Sequence, residues 1–422
     1  MKLNKNFIQF LQWGFFLSNA LLLLFIYRLG SARIDKGLEP GMRDIGTYLR
    51  AGSRLLSGQN PYTDGAFRSG SSALPLFGFI EDLLSDAQIY FVFNTMTLMG
   101  IIIFAKTFSS NKKPLSPILM TVIIWTSSLR ENLVNIQITG FVAILFSVGY
   151  RLHFHYSKWP ITYFGLWLLA LALDLKPHLF GALLLLICVQ KNKVISLLKT
   201  FVILLLNQLI LSIIFGVNLI QKWVERILDL YYLKSRGELG ESLTLWPILE
   251  FMGMDRKITS GLAIILLSSL LTLLTLNQKV IKYNSLQNLE IALLLPAFGI
   301  FFHYYDLAPL VALIILNLLN EDRGKIIVII LPILLIPGSF GEKSSVFIIF
   351  ILLLMILKFD SKFVDINYIY ICISFCIWIA YSIFMSVFEE YNLRQQGQMT
   401  CIVFLLLSLS LGRRINRRSH IA

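Results

Sequence analysis

Long apolar segments recur along the whole chain. About fourteen of them lie near residues 7–27, 89–105, 115–129, 133–150, 161–173, 177–189, 194–217, 258–276, 289–302, 307–319, 326–336, 346–357, 366–385 and 399–411. An apolar run of about 20 residues crosses a bilayer as an α-helix. Of the 422 residues, 14% are charged, whereas soluble domains carry about a quarter. The sequence therefore predicts an all-α, polytopic helical membrane protein with about 12–14 transmembrane helices, forming a single integral membrane domain over residues 1–422.

The basic residues indicate which loops face the cytoplasm. The net charge is +13, and the excess lies in every second short loop, at Lys106, Lys112, Lys113, Arg151, Lys158, Lys191, Lys193, Lys279, Lys282, Arg323, Lys325, Lys358, Lys362 and the last arginines, from Arg413 to Arg418. Lys and Arg concentrate in cytoplasmic loops. Both termini are therefore expected in the cytoplasm, as in a multi-pass plasma (inner) membrane protein. Two long extracytoplasmic segments remain, 28–88 and 218–257. The sequence has no basic patch with interleaved aromatic residues, which would indicate nucleic-acid binding.

The first long segment contains an amphipathic pattern that begins at Asp44. From there to residue 56 the apolar residues follow a helical period, which predicts a helix lying at the membrane interface. Asp44 stands at its amino end, a position that suits an N-cap and also a carboxylate acting as general base. Gly58-Gln59-Asn60-Pro61-Tyr62 then predicts a turn.

Two pairs of apolar runs look too short to cross a bilayer. Residues 161–173 number about 13, which reach roughly 20 Å against a hydrocarbon core of about 30 Å. The turn after this run holds Asp174, Lys176 and His178, and the turn after 289–302 holds His303 and Asp306. Because these runs are shorter than the hydrocarbon core, their polar turns are expected to be submerged below the outer membrane surface. Polar backbone at that depth must line a cavity, so the sequence predicts a cavity that opens outward.

These ionisable groups allow more than one interpretation. Lys176 is a cation suited to a phosphate, although an internal pair with Asp174 explains it equally well. His303 suits either ligand contact or packing. Gln137 belongs to a weaker polar group on the same side. The four cysteines lie in apolar runs and indicate packing rather than a metal site or disulfides.

Several short motifs, taken in order, resemble one family. They are Asp44 with Tyr48, then Gly58-x-Asn60-Pro61-Tyr62, Leu175-Lys176-Pro177, and His303 with Asp306. Across about three-quarters of the chain the pattern resembles the polyprenol-phosphate-dependent GT-C glycosyltransferases, especially glycosyltransferase family 87, which includes bacterial mannosyltransferases. Two departures concern substrate specificity. Residues 69–75 stand in place of an aromatic-Pro-Pro stretch, and Ile136-Gln137 in place of a Gly-Gln pair.

The resemblance implies a reaction and a set of roles. A hexose, with mannose as first candidate, would pass from a polyprenyl-phosphate sugar to a glycolipid or glycan acceptor at the extracytoplasmic face, with inversion and without metal or other cofactor. Asp44 would be the general base, and Lys176 and His303 would bind the donor phosphate. The residues expected to support the site or contact substrate are Tyr48, Asn60, Tyr62, Asp174, His178, Asp306 and Gln137.

Two other functions fit a polar cavity in a membrane protein. A flippase or transporter of a lipid-linked or polar substrate would move its substrate without forming a glycosidic bond. A polysaccharide polymerase or ligase would use a pyrophosphate-linked glycan, with Arg226 and Arg236 of the second long segment contacting the donor.

Overall fold

The computed structural model describes residues 10, 12–22, 43–63, 67, 69–109, 117–124, 126–179, 182–183, 193–232, 289, 293 and 304–318. The chain folds as two compact units. The first contains residues 1–125, 129–180 and 190–234, and the second contains 126–128, 181–189 and 235–422. Every regular element among the described residues is helical, so the predicted all-α class is confirmed for that part of the chain.

The helices follow one another with short connections. Residues 12–22 are helical. Then come α1 (Arg43–Leu56), α2 (Leu74–Leu83), α3 (Asp86–Phe108), α4 (Pro117–Ile124), α5 (Ser127–Asn135), α6 (Thr139–His155), α7 (Trp159–Leu175), a 3-10 turn (Pro177–Leu179), α8 (Lys193–Phe215) and α9 (Leu219–Tyr232). In the second unit a 3-10 turn (Tyr304–Leu307) leads into α10 (Ala308–Leu318).

Two of the described helices have the length and composition to cross a bilayer, namely α3 and the Ile195–Phe215 part of α8. Helices α7 and α10 are apolar but shorter. The two long helices differ in burial, because 50% of the apolar window of α3 is covered by protein against 11% of that of α8. Helix α8 therefore presents a largely uncovered apolar surface.

The observed helix bounds correct two expectations. Helix α7 has 17 residues rather than about 13, because the helix already begins at Trp159 and continues through Asp174 to Leu175, and it spans about 26 Å. The difference between the length of this helix and the hydrocarbon thickness, from which the submerged turn is inferred, is therefore smaller than expected. The predicted single segment 133–150 is in fact two helices, which are separated at Ile136, whose φ is 48°.

Helix α1 matches its predicted range, but protein covers its apolar face. Ile45, Leu49 and Leu55 are at most 2% exposed. Gly52 of α1 lies so close to Gly78 of α2 that a Cβ on Gly52 would stand 2.3 Å from the Gly78 nitrogen. The amphipathic pattern thus reflects packing on α2, and not a bare apolar face directed at lipid.

Close helix contacts of the same kind join α3, α6 and α7. A Cβ on Gly100 would lie 2.1 Å from the carbonyl oxygen of Gly140, and one on Gly149 would lie 2.8 Å from that of Gly165. Small residues let helix backbones approach this closely. Helix α8 packs on α7 and α9. The carboxyl end of α7 lies beside α8, because Gln208 of α8 hydrogen-bonds to Asp174.

Candidate functional site

Residues Ser69–Ser72, here called the serine loop, lie against the carboxyl end of α7. Ser69 Oγ donates a 2.8 Å hydrogen bond to the carbonyl oxygen of Leu175, and the N–H of Gly70 donates one of 2.8 Å to that of Asp174. The N–H of Ser72 donates to Asp174 Oδ2 at 2.7 Å. These hydrogen bonds hold together segments that are about a hundred residues apart in sequence.

Asp174 is also bound by α8. Its side chain is 4% exposed, and Gln208 Nε2 donates to its Oδ1 at 3.0 Å and its Oδ2 at 3.1 Å. The Ser71 hydroxyl donates to Gln208 Oε1. A buried carboxylate must accept hydrogen bonds to offset its desolvation, and these neutral donors supply them.

Sequence reasoning missed Gln208 and the serines of the loop. The available signal for Gln208 is a polar side chain inside the long apolar run 194–217, where such groups seek a partner. The serine loop stands out in the sequence only as a departure from the family pattern. Its contacts are with Asp174, which the sequence does indicate as a candidate.

Tyr48 connects α1 to the serine loop. Its hydroxyl lies 2.9 Å from Ser69 Oγ. Because the Ser69 hydroxyl already donates to Leu175, the proton in this bond comes from Tyr48. A continuous path of hydrogen bonds therefore runs from α1 to the residue that precedes Lys176.

Tyr62 supports the loop from its other side. It is 6% exposed, and its hydroxyl donates to the Ser69 carbonyl oxygen at 3.3 Å. Burial raises the pKa of Tyr62, and the negative charge of Asp174 raises it further. The hydroxyl therefore keeps its proton and acts as a donor. The ring packs in an apolar cluster with Ala51, Leu55, Phe67, Leu74 and Leu219.

Asp44 is the second residue of α1 and is half-buried. The Thr47 hydroxyl donates to its carbonyl oxygen at 2.7 Å. A carboxylate in the first turn is favoured by the helix dipole. Asp44 lies one turn before Tyr48, and residues four apart share a helix face. The carboxylate therefore belongs to the face of α1 that is joined to the end of α7.

Lys176 follows the last residue of α7 and is 8% exposed. Its φ of −137° and ψ of 83° leave the helical region, while its N–H still donates to the Ala172 carbonyl oxygen at 3.0 Å. A buried ammonium group is costly unless an anion or acceptors meet it. His178 lies in the following 3-10 turn, and its side chain is outside the described part of the chain.

The turn predicted after α1 is confirmed, and Asn60 builds it. Gly58 ends the helix with a φ of 70°. Asn60 Oδ1 accepts a 3.1 Å hydrogen bond from the N–H of Tyr62, and its carbonyl oxygen accepts one of 3.2 Å from the Thr63 hydroxyl. Asn60 thus has a structural role that accounts for its position, and its contact with substrate stays a prediction.

Gln137 lies between α5 and α6 and is 2% exposed. Its N–H donates to the Asn132 carbonyl oxygen at 3.0 Å, and its carbonyl oxygen accepts from Thr97 of α3 at 3.3 Å. Among the described residues its side-chain Nε2 is buried without a hydrogen-bond partner, as are both polar atoms of the Asn94 side chain. The backbone of Gln137 therefore joins α3 to the α5–α6 connection.

The remaining candidates belong to the second unit or lie outside the described residues. Asp306 is 6% exposed in the 3-10 turn that precedes α10. His303 lies outside the described residues. Their predicted convergence with Asp44 and Lys176 stays a prediction.

Among the described candidates, Asp44 and Lys176 are ionisable groups with complementary chemistry. The Asp44 carboxylate can accept a proton, and the Lys176 ammonium can stabilise a phosphate. Within the described ranges, no three His, Cys, Asp or Glu side chains are grouped so as to hold a metal ion. In comparisons with protein-family models, with curated protein sequences and with solved structures, no match to this chain was found.

Proposed function

We propose that the chain is an integral membrane glycosyltransferase of the GT-C type that uses a polyprenyl-phosphate sugar as donor. The observation that carries the proposal is the path of hydrogen bonds from Tyr48 through Ser69 to Leu175. It joins the helix face that contains Asp44 to the end of α7, next to Lys176. A proton acceptor and a phosphate-binding cation on two joined elements are what this transfer requires.

The reaction follows from these two groups. Asp44 takes the proton from an acceptor hydroxyl, and the oxygen attacks the anomeric carbon of the donor sugar. The bond from that carbon to the phosphate oxygen breaks on the opposite face, so the configuration inverts. The polyprenyl phosphate leaves with one additional negative charge, which Lys176 and His303 stabilise. The products are the glycosylated acceptor and free polyprenyl phosphate, and Asp44 then releases its proton to water.

The proposed setting is the plasma (inner) membrane, with about 12–14 spans and both termini in the cytoplasm. The uncovered apolar surface of α8 supports contact with lipid, since the alternative is a large exposed apolar patch in water. On this proposal α1, the serine loop and Lys176 belong to the extracytoplasmic side, where the prenyl chain of the donor enters from the bilayer. The acceptor is a glycolipid or glycan of the cell envelope.

The test is transfer by the purified full-length protein in nanodiscs. We expect hexose to pass from radiolabelled polyprenyl-phosphate mannose to an extracted glycolipid acceptor. Asp44→Asn keeps the shape of the side chain but removes the base, and should lower kcat by about 10²–10⁴-fold. Asp86→Asn is the matched control, because Asp86 is an exposed carboxylate in the first turn of α3. Full activity of a folded Asp44→Asn protein would show that the base is assigned wrongly.

The same preparation separates the two other functions. A flippase would move the labelled lipid between leaflets without forming a glycosidic bond. A polymerase or ligase would use a pyrophosphate-linked glycan in preference to the monophosphate donor. Of the donor contacts expected for a polymerase or ligase, Arg226 lies on α9, and Arg236 is outside the described residues.

A further inference from the structure

Asp174 and Gln208 form a buried contact that joins three parts of the chain. We propose that this pair, here called the latch, is a positioning unit. It holds the serine loop on α7 and thereby fixes the face of α1 that contains Asp44 relative to Lys176. Asp174 then acts on the reaction through the loop, without touching substrate. This inference rests on the proposed function for its catalytic consequence, but not for its structural one.

The hydrogen bonds of Asp174 show why it does not face substrate. Both carboxylate oxygens accept from Gln208 Nε2, and Oδ2 also accepts from the N–H of Ser72. Only 4% of the residue is exposed. A carboxylate with these partners and this burial has no free surface for a sugar or a phosphate. Its partners belong to the serine loop and α8, so its contacts are structural.

Ser71 fixes the orientation of the Gln208 amide. The Ser71 hydroxyl donates to Gln208 Oε1, and Gln208 Nε2 faces the Asp174 carboxylate. A flipped amide would place its oxygen against the carboxylate, which is repulsive. Gln208 is 3% exposed, so water does not replace either partner. The latch therefore has one satisfied arrangement of donors and acceptors.

The latch acts on the site through Ser69. This serine lies in the same loop, three residues before Ser72, and it accepts from Tyr48 while it donates to Leu175. If the loop leaves α7, Tyr48 loses the contact that holds α1 against the end of that helix. Asp44, one turn away from Tyr48, then shifts relative to Lys176. A displacement of about 1 Å in such a site can cost about 100-fold in rate.

Exchanging the two side-chain types tests the latch directly. In the double variant Asp174→Asn with Gln208→Glu, the new amide at 174 accepts from Ser72 and donates to the new carboxylate at 208, which accepts from Ser71. The net charge, the bonds from Ser71 and Ser72 and one of the two bonds between the side chains at 174 and 208 are kept, whereas the second bond, from Nε2 to Oδ2, becomes a contact between two oxygens. The single variant Gln208→Glu instead leaves two carboxylate acceptors facing each other. The single variant Asp174→Asn leaves two amide donors facing each other.

The first readout does not depend on activity. We expect hydrogen exchange of peptides spanning residues 67–76, in the full-length protein in nanodiscs, to be faster in each single variant and in the milder Ser71→Ala. The double variant should recover most of the way to the wild-type rate, because it keeps all but one of these hydrogen bonds. Unchanged exchange in all single variants would overturn the latch, whether or not the protein transfers sugar.

The second readout is transfer kinetics. We expect kcat to fall about 10-fold to 100-fold in the single variants with little change in the KM for the donor, and to recover in the double variant to within about threefold. Recovery of exchange without recovery of kcat would mean that the charge at position 174 acts on substrate, which overturns the positioning role. If the wild-type protein transfers no sugar, the proposed function fails, while the exchange experiment still decides whether the latch exists.

Discussion

Gly70 lies so close to Asp174 that a Cβ on Gly70 would stand 1.7 Å from Asp174 Oδ1. Its N–H donates to the Asp174 carbonyl oxygen at 2.8 Å, so neither residue can move aside without losing that bond. We predict that Gly70→Ala lowers the free energy of unfolding by about 2–3 kcal/mol, through overpacking and lost hydrogen bonds. Thermal unfolding of the purified protein in detergent measures this loss.

Gly14→Ala is the matched control for that substitution. Gly14 is helical, and a Cβ there meets nothing within 4 Å. Alanine should therefore leave stability unchanged or raise it by up to about 1 kcal/mol, as in an exposed helix. Equal and small effects of the two substitutions would contradict the close contact of the serine loop with α7.

The hydroxyls of Tyr48 and Ser69 should be energetically coupled. Tyr48→Phe removes one hydrogen bond and is expected to cost about 0.5–1.5 kcal/mol. Ser69→Ala removes that bond and the one to Leu175, and should cost more. The double variant should be about as stable as Ser69→Ala alone, because both changes remove the same bond. Denaturant unfolding of the four proteins measures the coupling, and simple additivity would show that the two side chains do not interact.

Local apolar patterns, a helical period for α1 and a continuous apolar run for α8, are enough to predict the positions of these two helices. Helix α1 is expected over 44–56 and runs over Arg43–Leu56, and α8 is expected over 194–217 and runs over Lys193–Phe215. Both patterns are local, so they follow from neighbouring residues alone. The partner of an amphipathic face is not local, which is why the sequence does not reveal that α2 covers α1.

The partners in the candidate site depend on tertiary structure. Asp174 is recognisable as an ionisable group at a helix end, but its hydrogen-bond donors are 34 and 102 residues away. A single glutamine in an apolar run indicates a buried polar contact without naming the residue that it meets. The positive φ of Ile136 could not be predicted from the sequence either, because β-branched residues rarely adopt a positive φ.

The backbone at Ile136 should reverse the usual order of alanine and glycine. Both Ile136→Ala and Ile136→Gly lose a side chain that is 5% exposed, at a cost of about 2–5 kcal/mol. Because φ is 48°, glycine should be more stable than alanine by about 1 kcal/mol. At the buried Leu133 of α5 the same pair should show the opposite order. Thermal unfolding compares the four variants, and an alanine variant more stable than glycine at position 136 would contradict the left-handed backbone.

Lys176 should determine how tightly the donor phosphate binds. On the proposed function its buried ammonium meets the phosphate, and hydrogen bonds to charged groups contribute about 1.5–3 kcal/mol. Lys176→Met should therefore weaken binding of polyprenyl phosphate to the full-length protein in nanodiscs by about 10-fold to 100-fold. Lys222→Met is the control, since Lys222 pairs with Glu225 at 2.8 Å on a solvent-accessible face of α9, and such pairs contribute little. Equal affinities of the two variants would remove Lys176 from the phosphate site, because a cation that binds the leaving group cannot be lost without a cost in affinity.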